Sequence, residues 1–442
     1  GDIIIAVSEG YDAIPLLSRY TYLGRGTDQG KIGNVNGMGI LGKILGQDIQ
    51  SVGTTTYRPP FTPITFGAIA GSDVGYLHDP IRKTPIHPWH VQAGARFENV
   101  GQWKRPWFYP RENESMSDTV DRECLAVRTA AGIFDQSTLG KIEVYGPDSG
   151  EFLNRVYTNN WSDLEIGRCR YGLMLGEDGM IMDDGIAARL GKCNYIIYTT
   201  SSGAASVMSW LERWLQTEWT DLKVYLTSVT EHWSTMSVVG PYSRKIISKL
   251  SDDINFSSQA FPFLSHRSGT IVGVPTRIFR ISFSGEMSYE INVCADHGLQ
   301  VWEALMDVGK EYGITPYGTE AMHILRAEKG FIIVGQDTDG SVTPGDLGMD
   351  WIVSKRKDFL GKRSLSRPNS IQENRKQMVG LLTNTPSFVL PEGGQIVDGT
   401  TTSIPVPMIG HITSSYFSAC LGRSIALALV KGGRNLMGNT VY

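Results

Sequence analysis

The sequence predicts an α+β protein with a duplicated strand–helix unit at its centre and a β-rich C-terminal domain. Three observations support this fold class. Strand-like and helix-like patterns alternate from about residue 116 to about residue 345. One strand–helix motif occurs twice, and a polar stretch at 366–376 separates this region from a β-rich end. Domains with mixed strands and helices bury their apolar faces by packing in layers.

The repeated motif occupies residues 141–156 and 234–250, and reads KIEVYGPDSGEFLNRV and STMSVVGPYSRKIISKL. In both copies a strand-like run is followed by Gly-Pro, by Ser two residues later, and by a helix-like run. Matching apolar residues fall on one face of each helix. Two such units separated by 94 residues indicate a duplicated layer. The alternative is that Gly-Pro-x-Ser merely starts helices well, with Pro ending the strand.

Composition divides the chain into four predicted segments. Residues 1–52 read as an N-terminal helical segment interrupted by glycines, and residues 53–115, which open with a run rich in Thr and Pro, read as an extended linker and loop. Residues 116–365 form the duplicated body. Residues 366–442 form the β-rich C-terminal domain, predicted as a β-barrel.

The overall composition argues against several classes of function. With 41 basic and 45 acidic residues, the net charge of −4 gives no general attraction to nucleic acid or to an anionic membrane. No apolar run approaches the roughly 18 residues that a membrane-spanning helix needs. The first residues, GDIIIAVSEGYDAI, have no basic region and no small-residue cleavage site, so they are not expected to be a signal peptide.

The cysteines and histidines do not form a metal-binding pattern. Five widely spaced cysteines without a CxxC motif favour reduced thiols and a cytoplasmic location over disulfides or a zinc site. His87 and His90 in HPWH have no Cys or carboxylate companion nearby in the sequence. Packing or hydrogen bonding is therefore favoured for them over metal binding.

Two glycine-rich stretches resemble nucleotide-binding motifs but lack the required context. GMGILG (37–42) matches GxGxxG, yet no strand precedes it and the Thr- and Pro-rich segment begins about ten residues later. In GRGTDQGKI (24–32), the glycines have the wrong spacing for a P-loop, and Ile32 replaces the residue that would hold magnesium. We therefore expect no flavin or nicotinamide site on this chain.

Two polar residues stand out in a predicted hairpin. Tyr171 opens RYGLML, and Asp184 follows 13 residues later, across the turn GEDG. A hairpin would bring both to the same end of a sheet. Asp184 also follows Asp183 inside a strand-like run of Met and Ile, where a carboxylate is costly unless it is paired or used. The alternative is a plain hairpin with the two aspartates at its exposed end.

Two further polar residues interrupt apolar patterns. Glu286 follows a Ser-Gly turn in RISFSGEMSYEINV, and Arg326 lies in the helix-like AMHILRAEKGFII. A buried arginine needs a carboxylate or a ligand acceptor. The hypothesis is that these two residues and the hairpin pair share one site. The alternative is that Glu286 caps a hairpin and Arg326 pairs with Glu320 or Glu328.

Several long strings resemble one protein family. RYGLMLGEDGMIMDDG, RISFSGEMSYEI, LRAEKGFIIVGQDTDGSVTP and TSSYFSACLGRSIALALV are similar to the folate-binding glycine-cleavage T-protein (aminomethyltransferase). HPWHVQAGARFENVGQWKRPWFYP and VGTTTYRPPFTPITFGAIAG, among other strings, resemble the C-terminal half of the alpha subunit of heterotetrameric sarcosine oxidases. The resemblance covers essentially the whole chain. It implies the aminomethyltransferase fold, with a C-terminal β-barrel.

The resemblance also implies roles for the four residues. Asp184 matches the catalytic aspartate near the folate nitrogens, where the one-carbon unit is transferred. Tyr171 matches a tyrosine that lines the pocket, and Arg326 an arginine near the folate site. Glu286 matches the carboxylate that binds the pterin ring, whose edge presents a pair of donors. Asp183, which points to the other face, is expected to be structural.

Some positions depart from the family pattern or leave it incomplete. Phe283 stands where T-proteins commonly have Tyr, so one pocket hydroxyl is missing. Folate tails are anionic, and three basic residues of the aromatic loop WKRPWFYPR are candidates for binding them: Lys104, Arg105 and Arg111.

The implied function is the folate-dependent part of a sarcosine oxidase. The imine from flavin-catalysed oxidation of sarcosine would be converted into 5,10-methylenetetrahydrofolate and glycine, with Asp184 as general base. Tetrahydrofolate would bind this chain. FAD, FMN, NAD, a flavin-bearing beta subunit, small subunits and an N-terminal dinucleotide-binding half are expected elsewhere in the complex. The alternatives are a stand-alone folate-dependent aminomethyl- or methyltransferase, and a non-catalytic folate-binding assembly module.

Overall fold

The computed structural model describes residues 1–62, 64–71, 77, 80–399 and 404–442. Parts of the predicted linker (63, 72–76 and 78–79) and of the predicted barrel (400–403) lie outside the described residues. The chain divides into two compact units. The first comprises 1–80, 395–411 and 438–442, and the second comprises 81–394 and 412–437. The four-segment division drawn from the sequence stays a prediction.

The first unit is mainly helical. Its helices are α1 (Asp2–Ser8), α2 (Ile14–Thr21), α3 (Gly33–Leu45) and α4 (Phe66–Ala70). The first three helices surround a small apolar core that includes Leu17 and Leu41. The stretch GMGILG lies inside α3, where a Cβ on Gly37 would overlap the side chain of Leu23. These glycines therefore allow close packing within a helix.

The second unit begins inside the predicted linker. Its first elements are α5 (His87–Gln92), β1 (Arg96–Val100), β2 (Trp103–Phe108), α6 (Met116–Thr129) and β3 (Ala131–Asp135). Strands β1 and β2 form an antiparallel hairpin. Burial of Trp103 and Tyr109 explains why this aromatic stretch is ordered structure and not loop alone. A capping box between Ser115 and Asp118 starts α6.

A five-stranded sheet forms the first half of the body. Its strands are β4 (Gly140–Tyr145), β5 (Cys169–Leu175), β6 (Ile181–Gly191), β7 (Asn194–Thr199) and β8 (Tyr225–Ser228), in the order β5-β6-β7-β4-β8. Two helices accompany the sheet, α7 (Ser149–Val156) and α8 (Ala204–Thr217). Their apolar faces pack with the sheet around Phe152 and Trp161.

A six-stranded sheet forms the second half. It joins β3 to β9 (Trp233–Val239), β10 (His266–Ile271), β11 (Val274–Phe279), β12 (Ser288–Cys294) and β13 (Ile314–Pro316), in the order β10-β11-β12-β9-β3-β13. The helices of this half are α9 (Ser243–Ser248), α10 (Gly298–Gly309) and α11 (Thr319–Ala327). The core here centres on Trp302.

The two halves repeat one topology. In each half a strand leads through Gly-Pro into a helix, then into three antiparallel strands, a second helix and a last strand. The equivalent strands also have the same order, except that β3 is inserted between β9 and β13. Gly146 and Gly240, at the strand-to-helix corners, both have positive φ, and a Cβ at either would overlap a backbone carbonyl oxygen. The predicted duplication is confirmed, because helix-starting chemistry alone would not reproduce the strand order.

The C-terminal region is β-rich. Its strands are β14 (Lys376–Leu382), β15 (Gln395–Ile396), β16 (Gly410–Ser418) and β17 (Arg423–Lys431). Within the second unit the order is β14-β17-β16. Within the first unit, β15 pairs with the first two residues of β16. In the part of the chain that the structure describes, no helix is both long and apolar enough to span a membrane.

Candidate functional site

The hairpin of β5 and β6 brings the first two predicted site residues together. Leu173 lies opposite Asp184 in the register, and Tyr171 lies two residues before Leu173, so Tyr171 and Asp184 project from the same face. The Tyr171 hydroxyl donates a hydrogen bond of 2.6 Å to Oδ2 of Asp184. The pairing expected from the 13-residue spacing across the turn is therefore present in the structure.

The two adjacent aspartates have different surroundings, because successive residues of β6 point to opposite faces of the sheet. Asp183 lies opposite Met174 and Asp184 opposite Leu173. The register shifts just before them, where a β-bulge leaves Met182 unpaired. Asp183 is buried, and its carboxylate accepts the backbone N–H of Asp184 at 3.0 Å and that of Thr200 at 3.4 Å. These contacts give Asp183 a structural role and leave the half-buried Asp184 available. The pair is not at an exposed hairpin end.

Burial raises the pKa of both carboxyl groups. The pKa of Asp184 is raised to about 6 by burial, and the hydrogen bond from Tyr171 acts in the opposite direction. The pKa of Asp183 is raised to about 7 by burial and then by the negative charge of Asp184. A carboxyl with a pKa of about 6 is mostly ionised at neutral pH and still accepts a proton readily. Asp184 is therefore suited to act as a general base.

Two buried polar atoms beside the hairpin have no hydrogen-bond partner among the described residues, Tyr157 Oη and Asn159 Oδ1. Asn159 donates from Nδ2 to the carbonyl oxygen of Tyr171 at 2.7 Å. The pKa of Tyr157 is raised by burial and by the negative charges of Asp183 and Asp184. The ring of Tyr157 packs in the apolar core against the position that a Cβ on Gly172 would take, so Tyr157 lies on the Asp183 face of the sheet and not with Tyr171 and Asp184.

Glu286 lies in the loop between β11 and β12, and Arg128 on α6 holds its carboxylate. The Arg128 Nη1 atom donates to Glu286 Oε1 at 3.0 Å, while Nε and Nη2 donate to Glu328 Oε2 at 3.0 and 2.6 Å. The side chain of Glu286 remains 24% exposed, whereas Arg128 is 11% exposed. Glu286 is thus more than a hairpin cap, because it belongs to a group of two carboxylates and one guanidinium.

Arg326 is fully buried on α11, and its guanidinium is engaged inside the protein. It forms an ion pair with Asp337. It also donates to the carbonyl oxygen of Phe331 at 2.9 Å and to the Ser414 hydroxyl at 2.6 Å. Asp337 in turn accepts a hydrogen bond of 2.8 Å from Ser414. The structure therefore gives Arg326 an internal carboxylate partner.

The partners that the sequence suggested for Arg326 are used elsewhere. Glu320 accepts a hydrogen bond of 2.8 Å from the indole of Trp107, and Glu328 pairs with Arg128. The suggested pairing of Arg326 with Glu320 or Glu328 is wrong. The suggestion considered only carboxylates close to Arg326 on the same helix, whereas its partner Asp337 lies in the loop after α11.

The aromatic loop places its basic residues in different surroundings. Arg105 is buried, its guanidinium lies 5.3 Å from the ring centre of Phe134, and burial lowers its pKa. Arg105 is therefore an interior residue, and Lys104 and Arg111 stay the candidates for an anionic folate tail.

His90 is hydrogen-bonded inside the protein, as predicted, at 3.1 Å from Asp135.

The four predicted site residues lie in three separate polar groups. Tyr171 pairs with Asp184, Glu286 pairs with Arg128, and Arg326 pairs with Asp337. No hydrogen bond or ion pair between described residues joins the Tyr171–Asp184 pair to Glu286 or Arg326. A single shared site thus stays a prediction. Within the described ranges, no group of three or more His, Cys, Asp or Glu residues is arranged to hold a metal ion. Arg128 was not predicted as a site residue. The signal that selected Arg326, an arginine in a helix with buried apolar residues, applies to Arg128 as well.

Three family models match the chain. A model described as the GCVT N-terminal domain matches residues 86–357, and one described as the glycine cleavage T-protein C-terminal barrel domain matches residues 376–442. A model described as the sarcosine oxidase A3 domain matches residues 1–72.

Curated relatives come from two groups. The chain is 51% identical over 444 residues to sarcosine oxidase subunit alpha of Corynebacterium sp. strain U-96, covering 100% of this chain and 46% of that protein. It is 30% identical over 362 residues to an aminomethyltransferase of Halothermothrix orenii, covering 82% of this chain and 95% of that protein. The chain thus spans about half the length of the sarcosine oxidase subunits that it matches.

A solved structure supports the fold. The glycine cleavage system aminomethyltransferase T from Bartonella henselae superposes with a TM-score of 0.71 at 24% identity, covering 82% of this chain and 93% of that chain. The predicted α+β aminomethyltransferase fold, with its duplicated units and C-terminal barrel domain, is confirmed.

Proposed function

The chain belongs to the glycine-cleavage T-protein (aminomethyltransferase) family, and on this premise we propose that it is the folate-dependent part of a sarcosine-oxidising enzyme. In this proposal the one-carbon unit of oxidised sarcosine passes to tetrahydrofolate, forming 5,10-methylenetetrahydrofolate and releasing glycine. Similarity to sarcosine oxidase alpha subunits over the whole chain supports this choice. The single observation that carries it is the hydrogen-bonded Tyr171–Asp184 pair with a raised Asp184 pKa.

The polar groups present suit a reduced pterin. When bound, tetrahydrofolate supplies the pair of nitrogens that takes up a one-carbon unit. Its pterin edge carries hydrogen-bond donors, which match the partly exposed carboxylate of Glu286. The unpaired Asn159 Oδ1, beside the backbone of Tyr171, offers a further polar contact. In the proposal Tyr171, Glu286 and Arg326 form or support the folate pocket.

Asp184 would act on protons in the proposed reaction. Its carboxylate, ionised at neutral pH, accepts the proton that a folate nitrogen loses as the one-carbon unit is transferred. A positioned general base contributes about 10²–10⁴ to the rate. The same negative charge stabilises positive charge that develops on the transferred group. Tyr171 fixes the carboxylate orientation through its hydrogen bond of 2.6 Å.

The remaining parts of the proposed enzyme lie on other polypeptide. Oxidation of a carbon–nitrogen bond requires an electron acceptor, so a flavin-bearing beta subunit would supply the oxidised substrate. FAD, FMN and NAD would bind there or on the half of the alpha subunit that this chain does not span. Assembly as a heterotetramer with small subunits in the cytoplasm completes the proposal.

Product analysis tests this function. Adding tetrahydrofolate to the purified assembly that contains this chain should divert the carbon of sarcosine from free formaldehyde to 5,10-methylenetetrahydrofolate. Glu286→Ala should return the product to formaldehyde, whereas Glu112→Ala, at an exposed loop position, should behave as wild type. The same products with and without folate would contradict the proposal. Turnover without any flavoprotein would favour the stand-alone transferase instead.

Tyr171→Phe is expected to shift the pH dependence of folate-coupled turnover. The hydrogen bond from Tyr171 lowers the pKa of Asp184, so its loss should raise that pKa above about 6. Because the base must be ionised, the acid limb of the pH–rate profile should move to higher pH, while the rate at high pH is largely retained. Tyr145→Phe, on the exposed part of β4, is the control. An unchanged acid limb would show that this hydrogen bond does not tune Asp184.

A further inference from the structure

Arg128 donates a hydrogen bond to Glu286, the residue that the resemblance implies for binding the pterin ring. We propose that Arg128 is the positioning residue for the Glu286 carboxylate, fixing the direction from which that carboxylate receives a pterin. The inference rests on the proposed function, because it assigns a role within the folate site. It differs from the role implied by resemblance, which places Arg326 near folate.

The geometry of Arg128 fits a positioning role. All three guanidinium nitrogens donate hydrogen bonds, and they reach two carboxylates and two backbone carbonyls. The carbonyl acceptors are Ser284 O at 2.6 Å and Leu325 O at 3.0 Å. Ser284 lies two residues before Glu286, so Arg128 grips both the side chain and the backbone of this loop. The planar fork of arginine makes such multiple contacts with little loss of side-chain freedom.

On the side away from Glu286, Arg128 is held by a buried carboxylate. The Glu328 side chain is only 6% exposed, and its second oxygen accepts a hydrogen bond of 2.6 Å from Ser418 on β16. Arg128 is thus fixed between α11 and β16, while Glu286 is the more exposed end of the group. Two carboxylates and one guanidinium leave a net charge of −1, which suits a ligand edge made of donors.

Arg326 does not have these properties. It contacts Asp337, Phe331 and Ser414, and none of these residues belongs to the predicted folate set. In the ion pairs of the described residues, Arg128 is the arginine that reaches Glu286. The structure therefore favours Arg128 as the arginine through which the pterin carboxylate is oriented.

A double-mutant cycle on tetrahydrofolate affinity tests the inference. Calorimetric titration would compare the wild-type chain with Arg128→Ala, Glu286→Gln and the double variant. Hydrogen bonds to charged groups are strong enough that each single change should weaken binding about 10- to 100-fold. If Arg128 acts through Glu286, adding Arg128→Ala to Glu286→Gln should weaken binding by less than about threefold. Equal losses in both backgrounds would overturn the inference and leave Arg128 a structural residue.

Two further variants separate positioning from folding. Arg128→Lys keeps the charge but not the fork, so its affinity should lie between wild type and Arg128→Ala; it replaces alanine in the cycle if Arg128→Ala does not fold. Arg122→Ala, on the same helix, removes an ion pair with Glu114 and should leave folate affinity unchanged. If wild type itself does not bind folate, the proposed function fails. If wild type binds but the cycle shows no coupling, only the role of Arg128 fails.

Discussion

Asp184→Asn is expected to lower folate-coupled turnover by about 10²–10⁴ while leaving tetrahydrofolate affinity close to wild type. Asparagine keeps the shape of the side chain and an oxygen for the Tyr171 hydrogen bond, but it does not accept a proton. The measurement pairs initial rates of 5,10-methylenetetrahydrofolate formation with calorimetric folate binding. Asp178→Asn, in the turn of the same hairpin, is the matched control and should have wild-type rates.

The same substitution should stabilise the protein at neutral pH. Folding raises the pKa of Asp184 from 3.8 to about 6, so the stability that this group contributes is present below pH 4 and is lost as the pH rises through 6. Because asparagine does not ionise, Asp184→Asn should increase the free energy of unfolding by about 1–3 kcal/mol at pH 7 and have little effect at pH 4. A loss of stability at pH 7 with unchanged turnover would instead identify Asp184 as a structural hairpin residue.

Arg326→Ala is expected to cost about 3–5 kcal/mol in the free energy of unfolding. The substitution leaves the fully buried carboxylate of Asp337 without its cation, and an unpaired buried charge is strongly destabilising. Denaturant unfolding measures the loss. Arg326→Met combined with Asp337→Asn removes both charges and should recover much of the stability, because the two losses arise from one pair.

The result for Arg326 also separates two roles. A large loss of stability with folate affinity retained in the folded fraction would make Arg326 a structural support beneath the site. A change below about 1 kcal/mol together with lost folate binding would instead support the folate-binding role that the resemblance implied, and would contradict the ion-pair argument.

The features that could be predicted from the sequence are those written in local patterns. The duplication was visible because the corners at Gly146 and Gly240 require positive φ and close backbone packing, which only glycine permits. The pairing of Tyr171 with Asp184 followed from strand alternation and from the turn between them. These features depend on neighbours within one element or one hairpin, so spacing alone was sufficient.

The features that were missed depend on tertiary contacts. Arg128 and Glu286 are 158 residues apart, and no periodicity connects an arginine on α6 to a loop in the second sheet. Asp337 lies in the loop that follows α11, where no sequence periodicity connects it to Arg326, so their buried pairing was not visible. The bulge at Met182, which shifts the register between β5 and β6 by one residue, was also missed.

The central claim is that this chain binds tetrahydrofolate, and calorimetric titration of tetrahydrofolate into the wild-type 442-residue chain tests it most directly. The account predicts a single saturable site whose affinity falls sharply in Glu286→Ala and is retained in Asp184→Asn. Absence of any saturable heat in the folded wild-type chain would contradict the claim, and would leave a T-protein fold that serves assembly without binding folate.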